Sequence, residues 1–272
     1  VWGGVPYYWS LLRRGASIAQ EIDRLVFSED GELHDEFDML YAALFKRPEA
    51  YVKVVAALAE KRRGLNRKEL IEICKVDDNG AFSEILSNLE WCGFIRSYNV
   101  IGTERNRVYQ LMDHFTLFYY DFLDSRKPGA NYWKSIIGTP TYNTWCGLSF
   151  ERTCLWHVEQ IKMKLGITGV GTNEYTWRFA GDKKRGLKGM QIDLLIDRND
   201  GIIDLCEIKD YKEPFHISTE YAERLEERQR LFAAVTQTSK AVHTVLISAE
   251  GADPGAMDIV QAEVTLNDLF RS

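Results

Sequence analysis

The apolar positions change period along the chain, and the changes mark its elements. At 17–27, Ile18, Ile22, Leu25 and Val26 fall on one side at helical spacing. At 35–46, Phe37, Leu40, Tyr41 and Leu44 do the same. Pro48 can open a third helix at its first turn, with Tyr51, Val54, Val55 and Leu58 as its apolar face. Gly64-Leu65 interrupts that pattern, and Asn66 can cap a helix over 67–74. The stretch 79–92 turns Phe82, Ile85, Leu86 and Leu89 inward, and Gly93 stands where a C-terminal cap is expected. The period then falls to two at 94–98 and 107–111, around a polar tip. Three helices followed by a two-stranded wing predict a winged helix-turn-helix over 47–124, behind a helical segment at 1–46. The aromatic run 115–122 predicts helical packing. Lys127-Pro128-Gly129 and Gly138-Thr139-Pro140 predict a linker over 125–140.

From 141 the pattern alternates between helix and strand. A helix is predicted near 150–164 and a strand near 175–179, followed by apolar, β-branched strands at 191–198 and 201–209. Asn199-Asp200-Gly201 between the last two is a hairpin signal. A long helix over 219–237, a strand at 243–248 and a closing segment at 264–270 complete an α/β domain. Side chains alternate along a strand, so Glu207 and Lys209 share a face and Ile208 points away. Asp193, Glu207 and Lys209 are thus expected to converge at one end of the hairpin. Charges there are costly to bury unless they pair or bind a metal.

Asp193, the turn, and then Glu207-Ile208-Lys209 resemble the PD-(D/E)XK nuclease superfamily. The resemblance implies a restriction-endonuclease-like fold, with Asp193 and Glu207 as metal-binding acids and Lys209 as the catalytic lysine. Ile192 stands where the motif's Pro would be. The family also calls for an acid on a helix before the first strand, and Glu151 is the candidate. Mg²⁺, with Mn²⁺ as a substitute, would be held by Asp193, Glu207 and the Ile208 carbonyl, since Mg²⁺ takes oxygen ligands. The implied reaction is phosphodiester hydrolysis, with DNA as substrate. The alternative for Glu207 and Lys209 is a plain ion pair on the sheet.

Charge adds little push toward nucleic acid. The 272 residues carry a net charge of −6, so any grip on phosphates must be local. Residues up to 124 hold 15 basic and 20 acidic side chains, and the remainder hold 19 and 20, so the nuclease-like half is less acidic. Candidate phosphate contacts are Lys183, Lys184, Arg185 and Lys188 before the Asp193 strand, and Arg224 and Arg228 on the helix after Lys209. For the two arginines the competing expectation is pairing with Glu220, Glu223 and Glu227. Arg96 and Arg107 lie on the wing, but 79–92 bears Glu84 and Glu90 and no Lys or Arg. That favours protein packing over DNA reading for this module. The five histidines show no metal-ligand spacing, and Trp133, Trp145, Trp156 and Trp177 are expected in cores. Five cysteines without a CxxC pair argue against a disulfide framework and a zinc site, and fit a reducing cytoplasm. No apolar run is long enough for a membrane span.

Gly3-Gly-Val-Pro-Tyr-Tyr8, the segment Tyr109 to Tyr120 and Leu266-Asn-Asp-Leu-Phe270 resemble the C-terminal region of archaeal and bacterial AAA-type ATPases. In that group a lid remnant, a winged helix and a PD-(D/E)XK-like domain follow the ATP-binding core. The resemblance, with the absent initiator Met, suggests a fragment or processed chain. It implies an ATPase core as partner in the same parent chain, and it is compatible with a homo-oligomer. No GxxxxGK[ST] motif occurs, so no nucleotide is expected on this chain. The alternatives to a nuclease are a non-catalytic DNA- or protein-docking module and a winged-helix regulator.

Overall fold

A computed structural model describes residues 1–101, 103–124, 129–184, 186–253 and 258–271, with 103–106 described by backbone alone. The chain is a mixed α/β protein that divides into two compact units. The first comprises 1–97 and 107–145, and the second comprises 98–106 and 146–272.

The first unit is mostly helical. It contains α1 (Pro6–Ser10), α2 (Ile18–Ile22), a π-turn at Asp23–Phe27, α3 (Glu36–Leu44) and α4 (Pro48–Glu60). After β1 (Leu65–Asn66) come α5 (Arg67–Cys74), α6 (Gly80–Trp91) and the hairpin β2 (Ile95–Val100) and β3 (Thr103–Leu111). Local chemistry sets these boundaries. Asn66 accepts from the Glu69 amide while Glu69 bonds back to the Asn66 amide, a reciprocal cap on α5. The Asn79 side chain caps α6 through the Phe82 amide, and Gly93 turns the chain out at a φ of 78°. β1 pairs antiparallel with β3, Leu65 opposite Tyr109.

α7 (His114–Phe122) lays the aromatic run into this unit's core, where Phe118 and Phe122 meet Trp133 and Trp145 edge-on. Residues 131–137, expected within a linker, instead carry the short helix α8 (Tyr132–Ile136) and bury Trp133. The Asp23 carboxylate accepts from the Trp133 and Lys134 amides and supplies the cap that the local sequence lacks. Residues 125–128 of the predicted linker lie outside the described residues.

The second unit is built on a mixed sheet. Its elements are the later part of α9 (Pro140–Trp156), α10 (Val158–Lys164), β4 (Thr172–Phe179), β5 (Met190–Arg198), β6 (Ile202–Lys209), α11 (Thr219–Thr236), β7 (Ala241–Ser248) and β8 (Ala262–Thr265). A 3-10 turn, Leu266–Phe270, closes the chain. The strand order is hairpin tip, β4, β5, β6, β7, β8. At the tip, Asn99 and Val100 run parallel to Tyr175 and Thr176. β4, β5 and β6 are antiparallel neighbours, and β7 and β8 continue parallel to β6. A parallel pair needs a crossover, and α11 supplies the one between β6 and β7. Trp177, Ile192, Leu195, Ile203, Leu205 and Phe232 form one buried cluster in this unit. Phe215, Ile217, Leu225, Leu246 and Val260 form another. Of the four tryptophans expected in cores, Trp133, Trp145 and Trp177 are buried and Trp156 is exposed.

The pairing of β4 with β5 is irregular around Asp193. Tyr175 pairs with Leu195 but Trp177 pairs with Ile192, so β5 carries one residue more than β4 across this stretch. Ile192 and Leu195, which strict alternation would separate, both enter the cluster with Leu205 and Phe232.

Candidate functional site

The turn at 199–201 and the register of β5 and β6 position the site. Gly201 adopts a φ of 90°, which a side chain at this turn would resist. The register then sets Leu194 opposite Cys206 and Leu195 opposite Leu205. Glu207 follows Leu205 by two residues and so points to the same face, onto α11. Ser218 caps α11 by accepting from the Tyr221 amide. From that start the helix brings Tyr221 and Arg228, two turns apart, to Glu207.

Glu207 is 8% exposed and fully engaged. Tyr221 donates its hydroxyl to Oε1 at 2.6 Å, and the Lys209 ammonium lies 2.9 Å from the same oxygen. The Arg228 guanidinium lies 3.2 Å from Oε2 and also donates to the Gln191 carbonyl at 2.9 Å. Burial alone would raise the Glu207 pKa. Arg228, Lys209 and the Tyr221 hydroxyl outweigh it and hold the carboxyl below its usual range. Tyr221 moves the other way: burial first, then the Glu207 charge, push its phenol far above the ordinary value. Arg224 and Lys209 lie over the Tyr221 ring, 4.7 and 5.9 Å from its centroid.

These side chains line an open groove of about 670 Å³ between the end of β6 and α11. Its basic members are Lys188, Lys209, Arg224 and Arg228, and its acidic members are Glu207, Glu220 and Glu227. Tyr211 stands at the groove as well, nearly half exposed, with its ring 4.7 Å from that of Phe215.

The structure brings together only part of the predicted constellation. Glu207, Lys209 and Arg228 meet, and Arg224 and Lys188 line the same groove. Arg228 pairs with Glu207 across the helix–strand interface, not with the helix glutamates. Asp193 does not line the groove. It sits in the irregular stretch of β5, between Ile192 and Leu194. Its carboxylate accepts from the Gln191 side chain, through Nε2, at 2.6 Å. Glu151, on α9, pairs with the fully buried Arg152. Burial, with the Glu151 charge adding to it, pushes up the thiol of Cys154, and burial does the same for Cys206.

Both Glu207 oxygens are engaged by other donors, while Asp193 accepts from Gln191 and Glu151 pairs with Arg152. Among the described residues no group of three or more His, Cys, Asp or Glu side chains is arranged to hold a metal.

Lys183 and Lys184 are exposed in the turn closed by the Asp182–Leu187 bridge, and Arg185 lies outside the described residues. In the first unit, Arg96 donates to Gln110 at 2.9 Å and Arg107 is exposed. Arg67 pairs with Asp78, and Arg62 with Asp121. α6 spends Glu90 on the Ser97 amide. Sequence reasoning missed Tyr221 and Tyr211. The signal available for Tyr221 was an aromatic in the first turn of the helix that follows Glu207-x-Lys209.

All five cysteines are free, and among the described residues no helix is long and apolar enough to cross a membrane. No family model matches the chain, and no curated protein or solved structure matches it at a significant level.

Proposed function

We propose that the second unit is a PD-(D/E)XK-type module that docks nucleic acid, DNA in the first instance, in the groove beside Glu207. The observation that carries this reading is the clamped carboxylate. Glu207 is neutralised by Lys209, Arg228 and Tyr221 within a groove that also presents Lys188 and Arg224. Cations gathered along a concave surface meet phosphates without any metal. The order helix, three antiparallel strands, helix, parallel strand supports the nuclease-type fold. Three helices and a hairpin over 48–111 support a winged helix in the first unit. Its internally paired arginines and acidic third helix favour a protein partner for that module, the ATP-binding core of an AAA-type parent chain.

The test is DNA binding in the presence of a chelator at several salt concentrations. Affinity should fall steeply with salt and drop about tenfold or more in Arg224→Gln with Lys188→Gln. Salt-independent binding, or none, refutes docking at this groove.

Metal-dependent hydrolysis is the second reading, favoured by Glu207-x-Lys209 at the end of β6. It requires Asp193, Glu207 and Glu151 to gather in a way they do not here. Mn²⁺ binding by calorimetry that disappears in both Asp193→Ala and Glu207→Ala, with cleavage lost in Lys209→Ala, would establish it in place of simple docking.

A further inference from the structure

We infer that the groove receives a single strand, with a base stacked on Tyr211 and the adjoining phosphates on Lys209 and Arg224. The inference deepens the docking reading above and rests on it.

Shape carries the first step. Duplex readers push a helix or ribbon into the major groove. Here the surface is concave, and its volume of about 670 Å³ lies in the range of small-ligand pockets, roughly 300–1,000 Å³. A cleft of that kind takes in a ligand instead of entering one. Single-strand sites combine a basic cleft with an aromatic face that any base can cover.

The aromatic side chains carry the second step. Tyr211, Phe215 and Tyr221 form a continuous file, with ring centroids 4.7 and 5.0 Å apart. Tyr221 is committed: its hydroxyl is bonded to Glu207, and Arg224 and Lys209 cover its ring. Phe215 is buried. Tyr211 is 48% exposed, leans on Phe215 and lines the groove. A large aromatic left open beside basic side chains, with its ring supported from behind, is a stacking platform held in place before the ligand arrives. Lys209 and Arg224, both over the Tyr221 ring, supply the charge for the strand's backbone. The Glu220 and Glu227 carboxylates limit the groove's net charge, so stacking has to contribute to affinity alongside ion pairing.

The experiment is fluorescence anisotropy in a chelator, using a short fluorescein-labelled deoxyoligonucleotide of mixed sequence and the same strand annealed to its complement. The native chain should bind the single strand more tightly than the duplex. Tyr211→Ala should weaken the single strand about tenfold and leave the duplex unmoved, while Tyr211→Phe retains the native preference. Tyr211→Leu, which keeps apolar packing on Phe215 but lacks a π face, should behave as Tyr211→Ala. Native binding of both forms with equal affinity, or single-strand affinity unchanged in Tyr211→Ala, overturns the inference while leaving groove docking intact. Absence of binding to either form overturns docking and this inference together.

Discussion

Replacing Glu207 by Gln should weaken the fold and strengthen the proposed grip on nucleic acid, two effects of opposite sign from one atom. The amide keeps the volume and can still accept from Tyr221, but it abandons the charge that Lys209 and Arg228 share. Removing one partner of a fully buried ion pair costs about 3–5 kcal/mol. Here both cations have side chains about one-third exposed and regain water when released, so the loss should be nearer 1–2 kcal/mol. For a unit of this size that lowers the melting temperature by roughly 3–8 °C. Meanwhile Arg228 becomes available to phosphates, and Lys209 meets them without a competing carboxylate. Each new contact steepens the dependence of log K on log salt by about 0.7 for a single strand. The assays are thermal denaturation by circular dichroism and anisotropy titrations across a salt series. A variant that melts with the native chain and keeps its salt slope would refute the clamp. A variant that binds DNA less tightly would refute Glu207 as an internal competitor for the cations.

Other consequences can be measured directly. Because the Glu207 carboxyl is held below its usual range, its contribution is complete at pH values above the ordinary carboxylate range. It is lost as pH falls through the lowered folded value. The stability gap between native chain and Glu207→Gln, read from urea titrations, should therefore close in strong acid, and a gap that widened there would contradict the assignment. Phe232 is fully buried against Trp177, and Phe232→Ala should cost about 3–5 kcal/mol in urea unfolding. A loss under about 1 kcal/mol would mean the cluster is not the organising core of the second unit.

Much of the frame was legible from local chemistry. Asn66 and Asn79 cap helices because their side chains reach amides three residues on, a relation the sequence states outright. Glu207 and Lys209 share a face because alternation needs only their own strand. What escaped depended on partners distant in the chain. The irregular pairing around Asp193 turns on β5 having one residue more than β4, and no count along β5 alone reveals that. Arg228 shares its helix with four glutamates, yet the buried carboxylate of β6 holds it, since a desolvated charge competes harder for a cation than solvated ones do. The helix at 132–136 reads as linker because its cap, Asp23, lies more than a hundred residues upstream.

The hairpin tip has a consequence for how this protein could be divided. Residues 98–106 belong with 146–272, and Asn99 and Val100 lie alongside Tyr175 and Thr176 of β4. The second unit is therefore discontinuous in the chain. A polypeptide begun at Cys146 would leave that stretch of β4 with unpaired amides and carbonyls, a template for another strand. Such a piece should self-associate through β4, and supplying the missing edge as a separate peptide spanning 95–111 should return it to a monomer. Inheritance of the second unit by recombination would thus require the preceding hairpin to travel with it.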